Sequence, residues 1–183
     1  MLTAEQARRL LADADLIVPP DEVAKSVSRV AREIRAELAE RHPLVLSVMG
    51  GAVVFTGQLL PMLDFPLDFD YLHVSRYGAG TSGGQLRWIT TPRQDIAGRV
   101  VLVVDDILDE GITLEAIREH IVAAGATACY CAVFADKKIA KPKPIAADFV
   151  GVSLPDRFVF GFGMDIDGAW RNLPAVYALK NTQ

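Results

Sequence analysis

Apolar residues recur along this chain with two alternating periods, and that alternation predicts a layered α/β fold. Thr3 and Gln6 make a capping box for a first short helix. Pro19-Pro20-Asp21 then opens a second helix, in which Val23, Val27, Val30, Ile34 and Leu38 recur at helical spacing. Residues 44–49 form a short apolar run that predicts a buried strand, and Gly50-Gly51 turns it into a helix reaching about Leu63. Leu67, Phe69 and Tyr71 alternate with Asp68 and Asp70, the period of a half-exposed strand. Residues 85–90 predict a further strand, and residues 99–104 one that is apolar on both faces, hence central and parallel. Leu114, Ile117 and Ile121 place a helix after it, stopped by Gly125. Strands follow at 128–134 and 149–154, with a shorter run at 158–162. The order predicts a mainly parallel sheet with an antiparallel hairpin beside the stretch 75–84, whose four glycines among small polar residues predict a mobile loop.

Composition narrows this picture. The chain has 183 residues, 51% apolar and 23% charged, which predicts one domain over 1–183 with a sizeable core. A net charge of −4 argues against a nucleic-acid partner but leaves room for a small anionic ligand at a locally positive site. Cys129 and Cys131, at i and i+2 of an extended run, point the same way and read as buried thiols in a reducing compartment. Residues 43–63 carry no charge and approach the length of a membrane span, but Gly50-Gly51, Ser47, Thr56 and Gln58 interrupt them. The first residues carry acids and no apolar segment of a signal peptide. A soluble, cytoplasmic protein without a membrane partner is expected.

The richest segment is Val100-Val101-Leu102-Val103-Val104-Asp105-Asp106-Ile107-Leu108-Asp109-Glu110-Gly111-Ile112-Thr113. A buried strand delivers three aspartates, a glycine and a threonine to the start of a helix. Ligands of open α/β sheets bind at the carboxyl ends of strands, where turn amides and a helix N-terminus attract anions. Thr113 adds a hydroxyl while capping the helix. Carboxylates beside a phosphate cradle make sense for a sugar phosphate, with the acids on hydroxyls or Mg²⁺ and the turn on the phosphate. Three other readings fit parts of the string. D-D-x-x-D is the diphosphate motif of isoprenoid synthases, but that belongs on long helices. The first strand of a receiver domain is similar, but too little chain follows it. An acid-rich solvent loop explains Asp109-Glu110, but not an apolar strand ending in two acids. The Gly-rich nucleotide motif G-x-x-x-x-G-K-[ST] is absent.

The string resembles the 5-phosphoribosyl-1-diphosphate (PRPP) signature of the type I phosphoribosyltransferases, and the chain from about 15 to 179 is similar to their hypoxanthine-guanine branch. Four pieces fall in family order: Val48-Met49-Gly50-Gly51, the 75–84 loop, the acidic signature, and Ala135-Asp136-Lys137 followed by Pro155-Asp156-Arg157-Phe158-Val159-Phe160-Gly161-Phe162-Gly163-Met164-Asp165. The resemblance implies a central, mainly parallel sheet flanked by helices with a small hood. It also implies transfer of phosphoribose from PRPP to N9 of hypoxanthine or guanine, in purine salvage, with Mg²⁺ as cofactor. Asp105 and Asp106 are implied on the ribose hydroxyls, partly through Mg²⁺, and Asp109 near purine N7 as proton acceptor. Asp109, Glu110, Gly111, Ile112 and Thr113 are implied around the 5′-phosphate. Gly50, Gly51, Arg76, Tyr77 and Arg171 fall to the diphosphate. Lys137 falls to O6 of the base, Phe158 to stacking on its ring, and the Val159 backbone to its edge. Asp165 is implied beside the base and as ligand of a second Mg²⁺.

Each of these residues also has a plainer reading. Lys137 with Lys138 fits a solvated pair, Phe158 a core position, Asp165 a turn and Arg171 a structural ion pair. His42, His73 and His120 suggest no ligand set, and Met49 reads as core. The chain departs from the family at Gly50, where a basic residue is usual, and at Arg76-Tyr77, where Ser-Tyr is usual. Arg76 is expected to supply the charge missing at Gly50. Arg157 stands for a usual lysine. The resemblance also implies a homo-oligomer, dimer or tetramer, and the 23–38 apolar face serves either an interface or its own sheet. A xanthine-preferring transferase and a non-catalytic PRPP sensor remain as alternatives.

Overall fold

The stripe at Val23, Val27, Val30, Ile34 and Leu38 lies along one helix and every one of these side chains is buried. It packs on the chain's own sheet, which settles the alternative left open for this face. A computed structural model describes residues 2–76 and 86–180, with the backbone alone at Arg76 and Leu86. Its elements are α1 (Ala4–Asp13), β1 (Asp15–Val18), α2 (Pro20–Leu38), β2 (Leu44–Met49) and α3 (Val53–Leu59), which runs into a 3₁₀ turn at Leu60–Met62. After these come β3 (Asp68–Arg76), β4 (Leu86–Thr90), β5 (Val100–Leu108), α4 (Ile112–Ala123), β6 (Ala128–Lys138), β7 (Phe149–Pro155), β8 (Val159–Phe160) and β9 (Val176–Ala178).

Six strands form one sheet in the order β4-β3-β2-β5-β6-β7, parallel except for the β3–β4 pair. β5 is central, and its side chains alternate between two cores. Leu102 and Val104 join α2 and α3 on one face, while Val101 and Val103 join Leu114, Ile117 and Ile121 of α4 on the other. That division explains a strand with no polar face. β1, β9 and β8 form a separate antiparallel sheet, which corresponds to the small hood. Arg157 staples it, with Nη2 donating to Asp15 Oδ2 and to the Leu179 carbonyl, both at 2.6 Å. Cys129 and Cys131 are both buried and unbridged. Among the described residues no helix is long and apolar enough to cross a membrane.

One connection is unusual for parallel neighbours, and two expectations change. Between β6 and β7 the chain returns across the sheet without a helix, as an extended strap at 139–148. β8 is only two residues long, because Gly161, Phe162 and Gly163 all take positive φ and turn the chain away. In β3 the alternation has the opposite sense, with Phe69 42% exposed and Asp70 buried. The Asp70 carboxylate accepts the amides of Tyr71, Arg93 and Gln94 at 2.8, 2.6 and 3.0 Å and so fixes the chain after β4.

Burial pushes the Asp70 carboxyl up, but these amides and the Arg93 charge outweigh it and leave it below its ordinary value. A depressed carboxylate contributes stability above its unfolded pKa of about 3.9, and loses it as pH falls through the folded value. Asp70→Asn is therefore expected to lose about 1–3 kcal/mol at neutral pH. Urea titrations should show this gap closing as pH drops below about 4. A gap of equal size at both pH values contradicts the assignment.

Candidate functional site

At the carboxyl edge of the parallel strands a cleft of about 490 Å³ opens between the end of β2, the end of β5 and the turn into α4. Gly50, Gly51, Asp105, Asp106, Asp109, Glu110, Gly111, Thr113, Asp165 and Arg171 all line it. A second cavity of about 210 Å³ adjoins it, lined by Lys137, Phe158 and Val159 together with Met164. The two share a wall made of Asp106, Ile107, Asp109 and Asp165.

β5 runs on past Val104, so Asp105 and Asp106 stand within the strand and Asp109 begins the turn. Asp105 is buried, with Oδ1 accepting the Asp106 amide, and Asp106 Oδ1 accepts the Ile107 amide. Burial drives the Asp105 carboxyl well above its usual value, and the neighbouring Asp106 charge adds to this. Burial raises Asp106 as well, and contacts with Asp105, the Ile107 amide and the Arg171 charge act against the rise. Such a pair favours a ligand that brings hydroxyl donors or positive charge.

Gly111 at φ +87° forms the cap position of α4, a conformation glycine adopts without strain. Thr113 is therefore inside the helix and not its cap, contrary to expectation. Ile112 lines neither cavity; its side chain is 51% exposed, which leaves its amide as its offering to a ligand. Gly111 and Thr113 at the helix start line the cleft, and a helix N-terminus is a place that attracts phosphate.

Lys137 lies inside β6, not beyond its end, because the strand continues to Lys138. Its ammonium donates to Asp109 Oδ2 at 2.6 Å and is largely buried, so it is not a solvated lysine. Phe158 is 52% exposed at the second cavity and is not core, whereas Val159 is buried. Asp165 Oδ2 accepts the Gly168 amide, and its Oδ1 pairs with Arg171 Nη2 at 2.5 Å. Arg171 Nη1 donates to the Gly163 carbonyl. The structural ion pair foreseen for Arg171 thus exists, and it faces the cleft.

Gly51 meets this group closely: a Cβ there would overlap the Asp106 carboxylate, and one at Gly163 (φ +101°) would overlap the Gly51 carbonyl. The Met49–Gly50 peptide is cis. The Arg76 side chain, Tyr77 and the rest of the loop expected over 75–84 lie outside the described residues, so the Arg76 compensation does too. Met49, expected in the core, is instead partly exposed and lines the cleft, together with His73, Val74 and Ile107, to which the sequence assigned no role. Neither this histidine nor the apolar residues carry a signal that separates them from core or surface.

Residues 17–167 match the model of the phosphoribosyl transferase domain family. The hypoxanthine-guanine phosphoribosyltransferase of Bacillus subtilis is 33% identical over 166 residues, covering 90% of this chain and 92% of that one. The bifunctional protein TilS/HprT of Listeria innocua is 36% identical over 166 residues, and the chain spans only 26% of that longer relative. Among solved structures, a hypoxanthine-guanine phosphoribosyltransferase from Bacillus anthracis superposes with a TM-score of 0.84 at 27% identity. That match covers 90% of this chain and 97% of the other.

Proposed function

The chain belongs to the phosphoribosyl transferase family, and from that premise we propose that it transfers phosphoribose from PRPP to N9 of hypoxanthine or guanine. The observation that carries this reading is the shared wall. An acid-and-amide cleft suited to a sugar phosphate meets a smaller cavity offering one ammonium and one exposed aromatic face across Asp106 and Asp109. Two substrates seated in the two cavities react at that wall.

In this reading Asp105 and Asp106 hold the ribose hydroxyls, and the amides of 109–113 with the Thr113 hydroxyl hold the 5′-phosphate. Gly50, Gly51 and Arg171 face the diphosphate. Lys137 donates to O6, Phe158 stacks on the ring and the Val159 backbone meets the base edge. N9 forms its bond to C1′ as the bond from C1′ to diphosphate breaks, and diphosphate leaves with the electron pair. Asp109 takes up the purine proton at N7, which raises the nucleophilicity of N9. Arg171 offsets charge gathering on the departing group.

Mg²⁺ fits the donors present. Among the described residues no three metal-binding side chains are gathered into a cage. Mg²⁺ typically takes one or two carboxylates and completes its shell with phosphate oxygens and water. Asp105 and Asp106 would hold one ion, and Asp165 beside Arg171 a second, where such ions neutralise phosphate charge. The continuous match, and a small sheet that joins β1 to β9, support one domain over 1–183. The cytoplasmic setting rests on the two unbridged thiols, and the dimer or tetramer on the resemblance.

The test offers purified protein PRPP and Mg²⁺ with hypoxanthine, guanine, xanthine and adenine separately, following diphosphate release. Turnover with hypoxanthine or guanine is expected. Preference for xanthine would move the substrate assignment. Silence with all four bases, with PRPP still bound, would make this a PRPP sensor.

A further inference from the structure

The strap that replaces a crossover helix between β6 and β7 does more than return the chain. Lys143, midway along it, sends a largely buried ammonium to two acceptors at 2.6 Å: the Leu108 carbonyl and Asp136 Oδ1. Leu108 and Asp136 are register partners at the ends of β5 and β6. One ammonium therefore ties together the two strand ends that carry Asp109 and Lys137. The next two residues continue the contact, since a Cβ on Gly111 would lie 3.2 Å from both Pro144 Cδ and Ile145 Cγ2. Ile145 is itself buried in the core beneath α4. Lys143 lines neither cavity.

We propose that Lys143 is a positioning residue for the 5′-phosphate subsite, acting through the Leu108 carbonyl to hold the 109–113 turn in its binding conformation. The proposal rests on the transferase reading for its substrate and on the strap contacts for its geometry. Leu108 is the last residue before the turn, so its carbonyl direction sets where the following amides point. A buried carbonyl that keeps an ammonium partner has one strong reason to stay in place. With the ammonium removed, the carbonyl is left to seek water, and the turn loses its tie to β6 and to the strap. Asp136 completes the arrangement. Burial pushes its carboxyl up, and the Lys138 and Lys143 ammoniums more than reverse this, so it stays ionised and holds Lys143 in place. The Lys138 partner is mostly exposed, whereas Lys143 is nearly enclosed and also reaches the turn.

The test compares wild type, Lys143→Met and Lys143→Arg. Calorimetric binding of ribose 5-phosphate and of inorganic diphosphate is measured separately, together with steady-state kinetics. Lys143→Met is expected to weaken ribose 5-phosphate about tenfold and to raise KM for PRPP to match, the equivalent of roughly 1.4 kcal/mol. Diphosphate affinity and KM for the base are expected to stay within about twofold. Lys143→Arg, which keeps a charged donor, is expected to recover most of the loss. Unchanged ribose 5-phosphate affinity overturns the proposal. So does an equal loss for both ligands, or an arginine variant no better than methionine, because each marks general loosening. A wild type that binds ribose 5-phosphate without turning over any base fails the transferase reading alone, and the binding comparison still decides the role of Lys143.

Discussion

Replacing Asp109 by Asn is expected to lower kcat with hypoxanthine by roughly 10²–10⁴-fold, the size of a lost general acid–base contribution. The substitution keeps the side chain's shape and removes its charge. Asp109 stands on the wall common to both cavities, so its carboxylate can reach a base in the smaller one while its amide serves the phosphate turn. Its Oδ2 is 2.6 Å from Lys137 Nζ, and the side chain remains 46% exposed. An amide in the same place still accepts from Lys137 but cannot take up a proton. KM for PRPP is therefore expected to change far less than kcat, because the turn amides stay. The measurement is initial rate against each substrate in turn. If kcat falls less than about threefold, Asp109 is not the proton acceptor.

The parts of this architecture visible in the sequence are those that follow from repeated burial. The α2 stripe and the two-faced β5 are periodic over several residues, and each occurs where burial demands it. The acidic turn was visible because carboxylates at the end of an apolar strand conflict with simple packing. What stayed hidden depends on single contacts. β1 and β9, with four and three residues, are too short to show a period, and they pair only through the fold. Phe69 faces outward because Asp70 is needed inside to satisfy three amides, and no local pattern announces that need. Thr113 looked like a cap until the left-handed Gly111 started the helix before it. Lys143, between two prolines, has the composition of a solvent loop. Only the path of the strap brings it to Leu108. In the site, residue types gave the chemistry, while the division into two cavities with a shared wall came from tertiary structure.

Gly51 is where that division is most exposed to a single methyl group. Gly51→Ala is expected to cut kcat/KM for PRPP about 10²-fold, comparable to the cost of misplacing a reacting group by roughly 1 Å. The added Cβ would overlap Oδ2 and Cγ of Asp106, so the carboxylate must leave its present position. It cannot swing freely, because its Oδ1 accepts the Ile107 amide at 2.8 Å and Gly163 closes the other side against the Gly51 carbonyl. Overpacking of this kind costs about 1–3 kcal/mol of stability, so a modest fall in melting temperature should accompany the loss of activity. Gly57→Ala, at an exposed position of α3 that lines neither cavity, is the internal control. Nothing stands within 4 Å of a Cβ at that position, and the variant is expected to retain near-wild-type kinetics and stability. Equal kinetics for the two alanine variants would show that Asp106 can move without consequence, and would remove it from the ribose contacts. A loss confined to Gly51→Ala, with PRPP affected more than the purine, would place the Asp106 carboxylate on the sugar.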